Sequence, residues 1–280
     1  MNQITIKQLK TPLRYPGGKS RAVPKLAQYF PDLREYDEYR EPFLGGGSVA
    51  LYVTKRYPDI KIWVNDLYEP LVNFWHQLQL DGRKMQNHLA ELRSRFPDQG
   101  SAKGLFLEAK DILNDYDQSN FARAVSFYIA NKCSFSGLTE SSSFSRQASD
   151  NNFSMRGIER LGEYSKIIKN WKITNLHYDE LLTDSLSKFL YLDPPYDIKD
   201  NLYGRKGSMH NRFNHDDFAF DCSRYACPQL ISYNSSQLVK ERFKDWSVAE
   251  FDHTYTMRSV GEYMREQHQR KELVLFNYEV

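Results

Sequence analysis

A short apolar run in this chain ends on an acid and two prolines. Phe189, Leu190, Tyr191 and Leu192 read as a buried strand, and Asp193-Pro194-Pro195-Tyr196 stops it. Neither proline can donate to a ladder or continue a helix. A carboxylate, two rigidly placed carbonyls and an aromatic ring are therefore set at the carboxyl end of a strand. In open α/β sheets that end is where ligands bind. An ordinary Pro-Pro turn has the same tetrapeptide, so its meaning depends on what else the chain brings to that edge.

Glu38 to Leu44 reads as another strand, running into Phe43-Leu44-Gly45-Gly46-Gly47-Ser48 and a helix from Val49 to Lys55. Strand, glycine turn and helix make the first unit of a doubly wound sheet, with glycines that let backbone approach a ligand. The third spaced glycine of a dinucleotide fingerprint is missing, and a turn serving only close packing is the competing reading. Ile60 to Val64 alternates as a second strand and ends at Asn65-Asp66. Asp66 follows the glycine turn by about 20 residues, the spacing of an acid that holds ribose hydroxyls. It could equally cap a helix from Tyr68 to Leu80, and the two roles are compatible. Nearer the start, Arg14-Tyr15-Pro16-Gly17-Gly18-Lys19-Ser20 leads into a helix expected around Arg21 to Phe30. Gly-Lys-Ser suggests a phosphate loop, but that motif needs glycine where Leu13 stands and a strand before it.

From Asp81 to Lys132 the pattern is helical, with segments expected at Arg83 to Arg95, Gly104 to Asn114 and Phe121 to Asn131. That breaks the α/β alternation and marks an insertion. Cys133 to Asn152 follows, rich in hydroxyls with Phe135 and Phe144 interspersed, and reads as an exposed hairpin or long loop. Arg156, Arg160, Lys166, Lys169 and Lys172 give the next stretch a basic lean that a solvated helix face explains equally well. Strands are then expected at Trp171 to Leu176, Lys188 to Leu192, Gln229 to Tyr233, Trp246 to Tyr255 and Glu272 to Tyr278, the last two as antiparallel neighbours. Helices fall at Asp179 to Ser185, Asp216 to Tyr225 and Ser236 to Phe243. A polar loop from Asp197 to Phe213 carries Lys199, Arg205, Lys206, His210 and Arg212, placed to clamp phosphates or simply to be solvated.

Composition narrows the classes. Of 280 residues 40% are hydrophobic and 26% charged, with a net charge of +2. That is ordinary globular composition, so a nucleic-acid partner would need a local basic face. Cys133, Cys222 and Cys227 form no CxxC and no metal spacing, which predicts inert thiols in a reduced, cytosolic setting. Met1 to Lys10 has no apolar signal segment, and no run approaches membrane-spanning length.

Taken in order, the Gly17-Gly18-Lys19 element, Phe43-Leu44-Gly45-Gly46-Gly47, the acid ending the second strand, the insert and Asp193-Pro194-Pro195-Tyr196 resemble the D12-class, Dam-like, adenine-N6 DNA methyltransferases. The resemblance runs from Thr11 to the Lys271-Glu272-Leu273-Val274-Leu275-Phe276 strand. It implies a Rossmann-like α/β methyltransferase sheet, residues 11–80 and 171–280, interrupted by a mainly helical target-recognition subdomain, 81–170, with a hairpin near 133–152. It implies S-adenosyl-L-methionine as donor, S-adenosyl-L-homocysteine as product and no metal. Partners would be double-stranded DNA and, in a restriction-modification setting, a cognate endonuclease; membranes are not among them. The enzyme would be a monomer or weak dimer, cytoplasmic and nucleoid-associated in a bacterium, or phage-encoded.

Site residues follow from the same resemblance. Tyr15, Lys19, Phe43, Gly45, Gly47, Asp66, Tyr178 and Asp193 match the donor pocket. His177 stands where relatives often carry Asp. Asp193, Pro194, Pro195 and Tyr196 match the catalytic motif, with Tyr196 stacking on a base extruded from the duplex. Arg14, Phe135, Ser136, Leu138, Glu140 and Arg146 match the DNA-reading positions. Relatives specific for GATC carry Arg after Gly-Leu-x; here that position is Glu140. Glutamate can accept from cytosine N4 but cannot donate to guanine, so a site other than GATC is expected. A cytosine-N4 methyltransferase has similar acceptor chemistry, and a DNA-binding module with a vestigial donor pocket is the non-enzymatic alternative. An RNA or protein-glutamine methyltransferase fits the insert less well.

Overall fold

The computed structural model describes residues 11–137, 139, 142–196, 213–253 and 270–279. Seven strands form one sheet: β1 Glu38–Glu41, β2 Lys61–Asn65, β3 Lys172–Thr174, β4 Lys188–Leu192, β5 Gln229–Asn234, β6 Ser247–His253 and β7 Arg270–Phe276. Their order is β3-β2-β1-β4-β5-β7-β6. The pairs β1–β2, β1–β4, β2–β3 and β4–β5 are parallel, and β7 is antiparallel to both β5 and β6. This is a Rossmann-like α/β sheet whose winding reverses between β1 and β4. Loops leaving the two strands diverge there, which opens a crevice at their carboxyl ends.

β4 sits centrally because its residues tolerate burial on both faces; Phe189, Leu190, Tyr191 and Leu192 are all fully buried. Tyr39 of β1 pairs in register with Phe189, and their rings stack at 6.3 Å. α2 (Ser48–Arg56) returns from the glycine turn, and α3 (Glu69–Arg95) from Asp66. α3 runs on where two helices were expected, yet it breaks at the expected place. Asp81 has φ −149° and ψ 57°, and its carboxylate accepts from Lys84 N at 3.1 Å to start the second half.

Between β2 and β3 the chain is helical: α3, α4 (Gln99–Asn114), α5 (Asn120–Cys133), α6 (Arg146–Asn152), α7 (Met155–Ile158) and α8 (Leu161–Ile167). α4 packs on α5, and α3 packs on both α5 and α8. Beyond β4 come α9 (His215–Ser223) and α10 (Gln237–Arg242), capped by Asn214 and Ser236. No helix among the described residues is long and apolar enough to cross a membrane. The three cysteines are free and buried.

Two local expectations fail for identifiable reasons. The helix expected at Arg21 to Phe30 is only a 3-10 turn, Lys19–Arg21, and α1, Val23–Leu26. Pro24 can sit in a first turn but not in a helix interior. The stretch after Cys133, expected as an exposed hairpin or long loop, pairs back on itself only briefly before a helix. Ser134 bridges Phe144 in antiparallel fashion, Phe135–Gly137 is a 3-10 turn, and α6 occupies the rest. Ser134 and Thr139 are buried because their hydroxyls satisfy the turn: Ser134 Oγ accepts from Thr139 N at 3.2 Å, and Thr139 donates to the Gly137 carbonyl at 3.2 Å. The basic loop expected across Asp197 to Phe213 falls mostly outside the described residues.

Candidate active site

The crevice at the β1–β4 reversal is a cleft of about 850 Å³, open to solvent. Tyr15, Lys19, Phe43, Gly45, Gly47, Asp66, Tyr178 and Asp193 all line it, and Pro195 does too. Gly45 and Gly47 have φ of +48° and +70°, which only glycine adopts cheaply. A Cβ at Gly45 would lie 3.0 Å from the Tyr15 ring, and one at Gly47 2.8 Å from Trp75. The turn is thus packed against two aromatic rings as well as presenting backbone to the cleft. Trp75 Nε1 donates to Gly45 O at 3.2 Å, and the Thr11 hydroxyl donates to Gly46 O.

Asp66 does two jobs. Its Oδ2 accepts from Gly45 N at 2.9 Å, which fixes the glycine turn, and its Oδ1 accepts from Tyr68 N at 3.0 Å, which starts the chain into α3. Burial pushes its pKa up to about 6, against the pull of those N–H groups. Each oxygen has a second lone pair for a ligand hydroxyl. Opposite, Phe43 and Tyr178 stack at 5.5 Å and 27°, and the Tyr178 hydroxyl donates to Asp221 at 2.8 Å. His177 lies against Tyr178 and hydrogen-bonds Asp179 at 2.7 Å. An aromatic wall, an ionisable acceptor and close backbone suit a charged nucleoside with a ribose diol.

Lys19 lies at the other end of the cleft. Its ammonium donates to both Asp193 oxygens, at 2.8 and 2.7 Å, and to Gly17 O at 2.9 Å. Ser232 adds a bond to Asp193 Oδ1 at 3.2 Å, and the Tyr191 hydroxyl lies 2.6 Å from Ser232 Oγ. The Lys19 side chain is 2% exposed and that of Asp193 19%, so the acid is the member that meets the cleft. Burial raises the Asp193 pKa to about 6; the Lys19 charge and hydrogen bonds pull it down and the Glu272 charge pushes it up. The Lys19 pKa is raised on balance, because its two carboxylate partners outweigh burial.

Tyr196 is largely covered. Only 9% of it is exposed. Its ring stacks on Tyr233 at 5.9 Å, the Lys19 ammonium lies 4.9 Å from its centroid, and its hydroxyl donates to Glu272 at 2.5 Å. Pro194 is buried and Pro195 partly exposed.

The DNA-reading positions divide. Arg14 adjoins the cleft through Tyr15, and its Nη1 donates to Ser134 O at 3.1 Å. Phe135 is 41% exposed beside that contact, and Ser136 belongs to the same 3-10 turn. Arg146 is exposed at the start of α6. Leu138 and Glu140 lie outside the described residues.

Several residues escaped the sequence reading. Asn131, fully buried on α5, accepts from Arg14 N at 2.9 Å and donates to Arg14 O at 2.6 Å and Gly137 O at 3.2 Å. It thereby ties the segment before the cleft to the turn after α5. Lys132 is buried beside it, its pKa lowered to about 7 by burial and by Arg14. Glu41 lines the cleft, accepts from the Tyr39 hydroxyl at 2.6 Å, and has its pKa pushed up by burial. Glu272 was visible only as an acid within an apolar strand.

Comparison with known proteins decides the family. The profile of the D12 class N6 adenine-specific DNA methyltransferases matches residues 15–257. The chain belongs to this family. Type II methyltransferase M.MjaIII of Methanocaldococcus jannaschii is 26% identical over 227 residues, covering 75% of this chain and 77% of that protein. Type II methyltransferase M1.LlaDCHI of Lactococcus lactis subsp. cremoris is 23% identical over 259 residues, 87% of each chain. A DNA adenine methylase of Vibrio cholerae is 28% identical over 134 residues, 48% of this chain and 44% of that one. As a D12-class member the protein is a site-specific adenine DNA methyltransferase, and its family draws the methyl group from S-adenosyl-L-methionine. Neither the cytosine-N4 reading nor the vestigial module is favoured.

Proposed function

We propose that the β1–β4 cleft is where the target adenine and the methyl donor meet, and that Asp193 with the Pro194 carbonyl grips the N6 amine. The observation that carries this is that Asp193 and Pro195 line the same cleft as Gly45, Gly47, Asp66 and Tyr178. S-adenosyl-L-methionine, when bound, supplies an electrophilic sulfonium methyl and leaves as S-adenosyl-L-homocysteine. Asp66 would accept from its ribose hydroxyls, Phe43 and Tyr178 would face its adenine, and the Tyr15 and Gly45–Gly47 backbone would approach the methionine part.

The residue types suit the reaction. The N6 lone pair of adenine is delocalised into the ring. Two acceptors, one on each N6–H, draw the nitrogen toward tetrahedral geometry and free that lone pair. This is positioning and electrostatics, with no covalent enzyme intermediate. Lys19 keeps Asp193 ionised despite its burial, and Ser232 fixes the direction of one oxygen. Tyr196, covered by Tyr233 and Lys19, serves the acid more than it serves the base. The base must first leave the duplex, at a cost of a few kcal/mol.

Target reading falls to Arg14, the Phe135–Gly137 turn, Leu138, Glu140 and Arg146 on the helical segment 81–170. Two relatives are type II methyltransferases, which supports a restriction-modification setting. The test is methyl transfer from labelled donor to duplex DNA by the parent and by Asp193→Ala. Turnover should fall by about three orders of magnitude, the loss of a main transition-state contact, with donor binding reduced less. A variant as active as the parent would remove Asp193 from the mechanism.

A further inference from the structure

We propose that Glu272, on the antiparallel strand β7, is a positioning residue of the methyl-transfer site: it holds the Tyr196 hydroxyl and the Lys19 ammonium together, and through them sets how Asp193 faces the cleft. The inference rests on the reading of Asp193 given above and adds a residue that does not itself line the cleft.

Glu272 is fully buried, pairing in register with Asn234 of β5. A buried carboxylate is expensive unless it is paired and hydrogen-bonded. Both conditions are met here, and both partners belong to the site. Glu272 Oε1 accepts from the Tyr196 hydroxyl at 2.5 Å and lies 3.5 Å from Lys19 Nζ. Tyr196 is the last residue of the Asp-Pro-Pro-Tyr turn. A tether on its hydroxyl therefore pins the far end of the turn, while Lys19 pins the near end at Asp193. Between the two anchors lies the Pro194 carbonyl. Without Glu272, Tyr196 would keep its ring contacts but lose this hydrogen bond, and Lys19 would lose one of its two carboxylate contacts among the described residues.

The charges make the same point. Lys19 carries one positive charge and faces the carboxylates of both Asp193 and Glu272. Among the described residues, the titratable groups around Asp193 come from several elements. They are Lys19 from the first turn, Tyr39 and Glu41 from β1, Tyr191 from β4, Tyr196 beyond it and Glu272 from β7. Burial pushes the pKa of Glu41, Tyr39 and Tyr191 up. The Glu272 carboxylate raises the proton affinity of Asp193, opposing Lys19. A better proton acceptor holds the N6–H more firmly as positive charge builds on the nitrogen.

The experiment is single-turnover methyl transfer to duplex DNA across pH 5 to 9, with equilibrium donor binding, for the parent, Glu272→Gln, Tyr196→Phe and Asp193→Ala. Glutamine keeps an acceptor for Tyr196 but removes the charge. Glu272→Gln should bind donor within about threefold of the parent and transfer methyl about tenfold more slowly. The acid limb of its rate profile should move about one unit toward lower pH, the effect of one neighbouring charge. A purely structural role would lower the rate without moving that limb. Tyr196→Phe removes only the tethered hydroxyl, so its rate should fall several-fold with the acid limb unmoved. A Glu272→Gln enzyme with parental rate and parental limb overturns the proposal. If that variant does not fold, a Tyr196→Phe enzyme at parental rate overturns it instead. Either result, beside an inactive Asp193→Ala, leaves the reading of Asp193 standing; an active Asp193→Ala removes that reading itself.

Discussion

Replacing Gly47 by alanine tests whether the glycine turn is shaped by its own backbone and by Trp75. At φ +70° a residue with a Cβ is strained by about 1–2 kcal/mol. The new methyl would also lie 2.8 and 3.0 Å from two carbons of the Trp75 ring. That ring cannot give way easily: it is fully buried, hydrogen-bonded to Gly45 O, and packed on Phe74 and Trp171 at 5.6 Å. Overpacking such a site costs about 1–3 kcal/mol. Together these give a loss of about 2–5 kcal/mol, or roughly 5–15 °C in Tm for a chain of this size. Urea unfolding would show a lower midpoint at an unchanged slope. Because Gly47 N donates to Leu44 O at 2.8 Å within the cleft wall, donor affinity should fall by about tenfold, equivalent to 1.4 kcal/mol. Gly104→Ala is the control: it is exposed on α4, nothing lies within 4 Å of the new methyl, and stability should rise by up to about 1 kcal/mol. A Gly47→Ala protein within about 0.5 kcal/mol of the parent would refute the account, since neither the backbone nor the ring would then constrain the turn.

Three other outcomes are expected. Asn131→Ala removes three hydrogen bonds, two to Arg14 and one to Gly137, that link the opening segment to the Phe135–Gly137 turn; it should cost about 2–4 kcal/mol and weaken DNA binding more than donor binding, measured by denaturation and by fluorescence anisotropy. Because the reactive form of Asp193 is the carboxylate and its pKa is pushed up to about 6, the single-turnover rate should rise with pH through about 6; a rate flat from pH 5 to 8 contradicts that assignment. Sequencing methylated bases in DNA from cells that express the enzyme should show modified adenines outside GATC, and GATC as the sole modified sequence would refute the inference from Glu140.

What could be read in the chain was mostly local. Phe189 to Leu192 gave a fully buried strand because four apolar residues meet two prolines, and the Gly45–Gly47 turn and Asp66 could be placed by spacing. Even Asp81 marked its break inside α3. The contacts that specify the site are long-range and leave no periodic trace. Lys19 was expected beside the donor, but its ammonium is taken by Asp193. Asn131 lies on a helix face whose other residues are simply buried. Tyr196 was read as a ring beside the acid, and only the fold brings Tyr233 and Glu272 to it. Pro24 shortened the helix after Lys19 more than its apolar spacing indicated.

Lys19 and Asp193 are separated by 174 positions, yet each is the other's main counter-charge. A trimmed protein that began at β1 would keep every strand, the glycine turn and the Asp-Pro-Pro-Tyr turn. It would also leave two interior acids without their cation, at a cost of about 3–5 kcal/mol for the broken pair. The opening segment is therefore no dispensable leader to a self-sufficient catalytic body, and dissecting this enzyme into smaller working parts has to start ahead of Lys19.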